Sequence, residues 1–410
     1  MYDYDLVIVG GGLVGGSLAS ALSGTSLRVA LIEAAPLRSD GQPSYDERVI
    51  ALSLGSRRIF EAIGVWPAME PEAEPILEVR VSDRGHCGFT SLHHAEEGAP
   101  ALGYVTPARA MGQAIHSALK YAPNLEVFCP AQLLSHQVRA NGVDLEVRAE
   151  GKTRHLSARL LVAADGGDSA VRRHLDLKTE ERAYGHDAII TTLTPDRPLR
   201  GLAFERFTES GPLAMLPMTG GRYSVVWTCR EADTAQLLAL SDEDFLDRLQ
   251  ARFGYRLGRL GQVAPRHAYP LKLLLTRDSV QERLVLIGNA AHTLHPVAGQ
   301  GFNLGLRDVA ALAEVVVDAA AGGADIGSPG ALADYRQWRL HDQVGTARLT
   351  DGLARLFVVP WLPVRLARNL GMLGLDLVPA ARHRLAERFM GLGGRLPRLA
   401  RGLALETRHV

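Results

Sequence analysis

A short apolar segment, Tyr4–Val9, runs straight into three glycines at positions 10, 12 and 15. A run of this length bounded by glycine reads as a buried strand. The small, apolar stretch Leu13–Ser23 then reads as a helix packed on a sheet, and Leu27–Ile32 as a second buried strand ending at Glu33. Strand, glycine turn, helix, strand is one βαβ unit, which commits the chain to an α/β fold with parallel pairing.

The glycine spacing G-x-G-x-x-G has a chemical meaning in this setting. Gly10 permits the tight turn, Gly12 lets backbone approach a pyrophosphate, and Gly15 lets helix and strand pack closely. The helix N-terminus presents free N–H groups and partial positive charge to phosphates. Glu33, about 20 residues on, is placed to accept hydrogen bonds from a ribose and disfavours a 2′-phosphate. The expected nucleotide is therefore FAD or NAD rather than NADP. No second G-x-G-x-x-G follows, so any further nicotinamide docks without its own fingerprint.

Beyond this unit, Ile76–Leu92 and Ala188–Trp227 alternate and carry many strand formers, the pattern of an antiparallel sheet. Leu125–Val147 reads as more strand with a turn at Asn141-Gly142. Leu284–Ile287 is a further buried strand that leads into a glycine-rich loop, and from about Gly305 onward the pattern is mostly helical. Lys plus Arg equals Asp plus Glu at 45 each, so no bulk field points to nucleic acid. Cys87, Cys129 and Cys229 are far apart and make neither a disulfide framework nor a metal spacing, which suggests a reduced, cytoplasmic setting. No signal peptide and no spanning helix is expected. Nor is there a G-x-S-x-G, an H-E-x-x-H or a paired-cysteine redox motif, so the chemistry is expected to belong to a cofactor.

Two later segments narrow that cofactor. Leu161–Arg172 reads LVAADGGDSAVR, with Asp165-Gly166 after a strand, and Leu284–Asn303 reads LVLIGNAAHTLHPVAGQGFN. His295-Pro296 followed by Gly299-Gln300-Gly301 makes a loop poor in side chains, against which a flat isoalloxazine ring can lie. A helix starting near Phe302 would aim its positive end at the flavin edge that becomes anionic on reduction. These segments, with Asp46-x-Arg48-x-x-Ala51-Leu52, resemble the motifs of the flavoprotein aromatic hydroxylases, typified by para-hydroxybenzoate hydroxylase. The resemblance covers nearly the whole chain. It is sharpest with the ubiquinone-pathway branch, the 2-polyprenyl-6-methoxyphenol hydroxylases, in Val81–His86, Ala203–Thr208 and Gly211–Met218.

The resemblance implies a Rossmann-like FAD-binding domain of the para-hydroxybenzoate hydroxylase type (1–78, 101–180 and 276–340), an antiparallel-sheet substrate domain (79–100 and 181–275) and a helical C-terminal region (341–410). It implies FAD, with NADH or NADPH and dioxygen as co-substrates. Implied cofactor residues are Gly10, Gly12, Gly15, Glu33, Arg48, Asp165, Gly166, Gly288, Asn289, Gly299, Gln300, Gly301 and Asn303. Asn289 stands where the family usually has Asp, which keeps an acceptor for the ribityl chain without the charge. The implied reaction is hydroxylation of a polyprenylated methoxyphenol to the 1,4-benzoquinol through a flavin C4a-hydroperoxide. Other readings are a sister hydroxylase at another ring carbon, an alkene epoxidase or reductase, and a non-catalytic flavoprotein scaffold. His295 beside Pro296 is a candidate to activate the phenol. Phe204, Arg206, Met215, Leu216, Pro217 and Trp227 are candidates for the substrate wall.

Between Arg355 and Arg401 there are nine arginines against two acids, interleaved with apolar residues from Leu356 to Met390. Basic charge beside an apolar helix face suits an anionic membrane surface. The expected location is peripheral on the inner membrane, near other enzymes of the same pathway. The opposing expectation is that the apolar face packs on the rest of the fold.

Overall fold

The computed structural model describes residues 2–37, 48–86, 88–358 and 361–405. Asp46 and Cys87 lie outside these, as do the side chains of Phe357, Val358, Leu362 and Arg365. Tyr4–Val9 pairs in parallel with Val29–Ile32 on one side and with Lys152–Ala163 on the other. Leu284–Leu286 and Leu125–Phe128 extend the sheet in parallel at its two flanks. The uniformly apolar strands are buried because helices cover one face: Leu13–Ala21, Ala108–Leu119 and Gln300–Ala321 share one core with them. The Asn141-Gly142 turn joins antiparallel strands, with Arg139 N–H bonded to the Gly142 carbonyl at 2.7 Å.

Register places the site. Val9 stands opposite both Ile32 and Ala163, and Ala163 stands opposite Leu286. The four strands therefore end in one row, and the residues that follow them, Gly10, Glu33, Asp165 and Gly288, emerge together at the carboxyl edge. That edge is where an open α/β sheet binds its ligand.

The second sheet is antiparallel apart from one parallel pair, Leu202–Thr208 beside Glu78–Asp83. Its inner strands are Thr179–Pro195, Tyr223–Arg230, Gly211–Pro217 and Leu202–Thr208. One face packs on the helix Asp242–Phe253 through Met215, Trp227, Phe245, Leu249 and Phe253. The sequence pattern had not suggested that helix. Its acidic first turn and the Ser241 cap, which accepts the Asp244 N–H at 3.1 Å, carry the signal. The other face of this sheet looks at the nucleotide edge of the first. The C-terminal helices, Pro329–Val358, Leu362–Leu377 and Pro379–Phe389, close over the space between. The chain thus joins a Rossmann-like unit, an antiparallel-sheet domain and a helical C-terminus.

Candidate active site

A single cavity of about 1010 Å³ runs from the glycine loops to the antiparallel sheet. At the nucleotide end lie Gly10, Gly12, Glu33, Asp165, Gly166, Gly288 and Asn289. A methyl group on Gly15 would stand 1.9 Å from the Gly10 carbonyl oxygen, so only glycine lets the turn and helix close. Glu33 is buried; one carboxylate oxygen accepts the Gly11 N–H and the other the Ala35 N–H at 2.7 Å. These bonds fix its charge at the mouth of the turn. Asp165 accepts the Ala170 N–H at 2.8 Å through Oδ2, while Oδ1 is buried without a hydrogen-bond partner among the described residues. Arg172 ties this loop to the next by donating to the carbonyls of Gly167 and, at 2.9 Å, Ala290.

The helix Gln300–Ala321 begins behind Gly299, whose φ of 61° lies in the left-handed region, and no side chain caps it. The N-terminal helix, behind Gly12, also lacks a side-chain cap. Both helix starts line the cavity, so their N-terminal ends face the space a ligand would fill. Gly301 also lines it, with no protein atom near the place a Cβ would take and no left-handed φ. Neither packing nor backbone explains glycine there; close approach of a flat ring does. Together with the unpartnered Asp165 Oδ1, these features fit FAD. When bound, FAD accepts hydride from the nicotinamide and activates dioxygen.

Arg48 reaches the junction of the two halves, its guanidinium 4.8 Å from the centre of the Tyr269 ring. Gln300 is buried and lines the cavity. Asn303 is fully buried and spends its side chain on protein: it accepts from Ser53 N–H at 2.8 Å and Ser56 hydroxyl at 2.7 Å, and donates to the carbonyls of Ala51 and Gly299. It clamps the loop bearing Gly299 rather than presenting a free amide.

The substrate end follows the two-residue period of a strand. Thr90, Val81, Glu205, Ala214, Val226 and Ile190 stand in one cross-strand row, and all of them line the cavity. Leu216 faces it too. Arg206, one residue from Glu205, points to the opposite face, where burial and the nearby Arg256 and Arg84 lower its pKa. Met215 and Trp227 belong to the core on that face, and neither they nor Pro217 lines the cavity. Phe204 contributes to the lining while its ring packs edge-on against Phe253 at 5.2 Å.

His295 needs a similar correction. Leu294 and Pro296 line the cavity, but the buried imidazole between them does not. Its Nδ1 accepts the Val297 N–H at 3.2 Å, and its ring meets Tyr184 edge-on at 5.0 Å. Burial, with His186 adding, lowers its pKa to about 4, so the ring is neutral, and it does not line the cavity.

A buried ionic cluster was missed. Asp308, on the helix Gln300–Ala321, accepts from His292 Nε2 at 2.6 Å, Arg339 Nε at 2.8 Å, Gln343 Nε2 at 3.0 Å and the Gly288 N–H at 3.3 Å. Burial alone would raise its pKa, but the bonds from His292 and Arg339 hold it near 2. The signal was an Arg307-Asp308 pair flanked by the apolar residues Leu304, Leu306, Val309 and Ala310, where a buried charge survives only if paired. The cluster holds the Gly288-Asn289 turn against two helices.

The family described as FAD binding domain matches residues 3–342. The chain belongs to the flavoprotein aromatic hydroxylase family. Ubiquinone hydroxylase UbiL of Rhodospirillum rubrum is 40% identical over 404 residues, covering 98% of this chain and 93% of the relative. The 3-demethoxyubiquinol 3-hydroxylase of Escherichia coli is 31% identical over 394 residues, covering 95% of this chain and 98% of its own. Among solved structures, p-nitrophenol 4-monooxygenase PnpA of Pseudomonas putida superposes with a TM-score of 0.78 at 19% identity, covering 95% of this chain and 98% of that one, a likeness of fold. As a member of this hydroxylase family, the chain is an FAD-dependent monooxygenase that uses NAD(P)H and dioxygen.

Proposed function

We propose that this flavoprotein hydroxylates the ring of a polyprenylated methoxyphenol, converting 2-polyprenyl-6-methoxyphenol to the 1,4-benzoquinol in ubiquinone biosynthesis. The observation that carries the reading is the continuous cavity from the flavin loops across an almost wholly apolar sheet face. It has room for an aromatic ring and the first prenyl units, and a bound apolar substrate would exclude the water that discharges an activated oxygen unproductively. The names of the relatives support the ubiquinone pathway. Gly10, Gly12, Gly15 and Glu33 would hold the adenosine and pyrophosphate. Asp165, Gly166, Gly288, Asn289, Gly299, Gln300 and Gly301 would hold the ribityl chain and ring, with Arg48 at the junction with the antiparallel sheet. Cells lacking the protein should accumulate 2-polyprenyl-6-methoxyphenol. Accumulation of a demethoxyubiquinol would favour a second reading, a sister hydroxylase at another ring carbon, to which the name of the Escherichia coli relative points.

The C-terminal helices bear on how a lipid substrate arrives. Met372, Leu375, Phe389 and Met390 line the cavity, which supports packing for that side. Several arginines are paired: Arg368 with Asp83 at 2.8 Å, Arg382 with Glu96 at 2.7 Å, and Arg398 with Asp318. Yet the outer side of the helix Leu362–Leu377 carries Leu366, Leu370 and Leu377 exposed, in step with the partly exposed Leu373. Trp361 is 69% exposed beside them. Spacings of four, three and four residues make one stripe. This favours peripheral docking on a bilayer by apolar insertion more than by charge. Among the described residues, no helix is long and apolar enough to cross a membrane.

A further inference from the structure

Glu205 is unlike everything around it. Its row across the sheet is Thr90, Val81, Glu205, Ala214, Val226 and Ile190, and it is the one ionisable member. Phe207, Met372, Val81 and Leu353 form an apolar cluster close by, and all four line the cavity. The side chain is half-buried and lines the cavity. Among the described residues it has no hydrogen bond and no ion pair. Arg206 points to the other face of the sheet. The acids at the flavin end differ in this respect, since Glu33 and Asp165 are held by backbone N–H groups. A carboxyl enclosed among apolar side chains without a partner is costly unless a ligand completes it.

We propose that Glu205 is a catalytic residue that recognises the ring hydroxyl of the substrate, accepting first its hydrogen bond and then its proton. This rests on the reading that the substrate is a phenol. The phenol O–H bond breaks as the carboxyl O–H bond forms, and the electron pair left on the ring oxygen raises electron density at the ring carbons ortho and para to it. The carbon attacked takes one oxygen atom from dioxygen, the nicotinamide supplies two electrons, and the second oxygen atom leaves as water. That carbon then loses its own proton to restore the aromatic ring, and Glu205 returns the borrowed proton to the first hydroxyl. Burial raises the pKa of Glu205 to about 7, so it gains and loses a proton near neutrality.

The test uses the FAD-loaded enzyme with short-chain 2-prenyl-6-methoxyphenol, comparing wild type with Glu205→Gln. Wild-type kcat/KM should climb about tenfold per pH unit below about 7 and level above it, as a base that must be ionised requires. In the Gln variant, kcat at pH 8 should fall by about 100-fold or more with KM little changed, and the rise with pH should vanish. FAD content should stay at the wild-type level. A probe whose hydroxyl is made more acidic by ring halogenation should recover much of the lost rate. That rescue would not follow from a merely structural defect, and it remains readable if the variant is less stable. A Gln variant with wild-type rate and pH profile overturns the role of Glu205 and leaves the phenol reading intact. A wild-type enzyme that hydroxylates no phenol overturns both.

Discussion

Replacing Glu205 by Gln should make the protein more stable at alkaline pH and leave it unchanged in acid. Burial raises the carboxyl from its ordinary value of 4.5 to about 7. Between these values the folded protein binds a proton that the unfolded chain does not, so wild-type stability falls as pH rises through the window. Below 4.5 both states are protonated and a neutral amide is a fair substitute. Above 7 the wild type carries an ionised carboxylate that the cavity disfavours, and the amide does not. At 1.36 kcal/mol per tenfold change in proton affinity, the gap between 4.5 and about 7 is worth ~3 kcal/mol. For a chain of 410 residues unfolding as a unit, that is about 3–4 °C in melting temperature. Thermal unfolding of the substrate-free, FAD-saturated proteins at pH 4.5 and pH 8.5 measures it. The Gln variant should match wild type at the lower pH and melt higher at the upper one. A variant less stable at pH 8.5 would mean that the carboxylate has a cationic or hydrogen-bonding partner, and the reasoning would fail.

Two glycines should respond in opposite ways. Gly15→Ala drives a methyl into the Gly10 carbonyl and should cost both folding stability and FAD, whereas the methyl of Gly301→Ala has no protein atom within 4 Å, so that variant should fold normally while losing flavin affinity; differential scanning fluorimetry and flavin absorbance separate the two. Asp308→Asn weakens the buried bonds from Arg339 and His292, although Arg339 keeps Asp342 at 2.6 Å, and should cost about 1–3 kcal/mol, with FAD retention falling because the Gly288 turn is released. His295→Gln should lower kcat less than tenfold, well short of the ~100-fold loss of a general base. A larger loss, with FAD content intact, would restore the imidazole to the reaction.

The nucleotide half was legible because its constraints are local. A strand, a glycine spacing and an acid at the end of the next strand leave one arrangement, and parallel register then brings Asp165 and Gly288 beside Gly10. The substrate half was legible as a sheet but not by face. Arg206 and Glu205 are neighbours, and a one-residue difference in phase sends one to the cavity and the other to the opposite core. Alternation alone does not say which face is lined by a ligand when both faces are apolar. His295 misled for a related reason: position in a motif says nothing of rotamer, and its ring turns toward Tyr184. The Asp308 cluster depends on Arg339 and Gln343, some thirty residues away, and only the packing of two long helices brings them together. The arginine-rich C-terminus showed its charge but not its pairing, since the acids that neutralise it, Asp83, Glu96 and Asp318, lie far off in sequence.

The central claim is that the cavity hydroxylates a phenol ring with oxygen taken from dioxygen. The direct measurement reduces the FAD-loaded enzyme anaerobically with NADH or NADPH, adds short-chain 2-prenyl-6-methoxyphenol and then oxygen-18 gas, and weighs the product. The account predicts a benzoquinol, or its quinone after air oxidation, carrying one oxygen-18 atom on the newly oxygenated ring carbon. Reoxidation that yields only hydrogen peroxide with the phenol unchanged, or a new ring oxygen that comes from water, would contradict it.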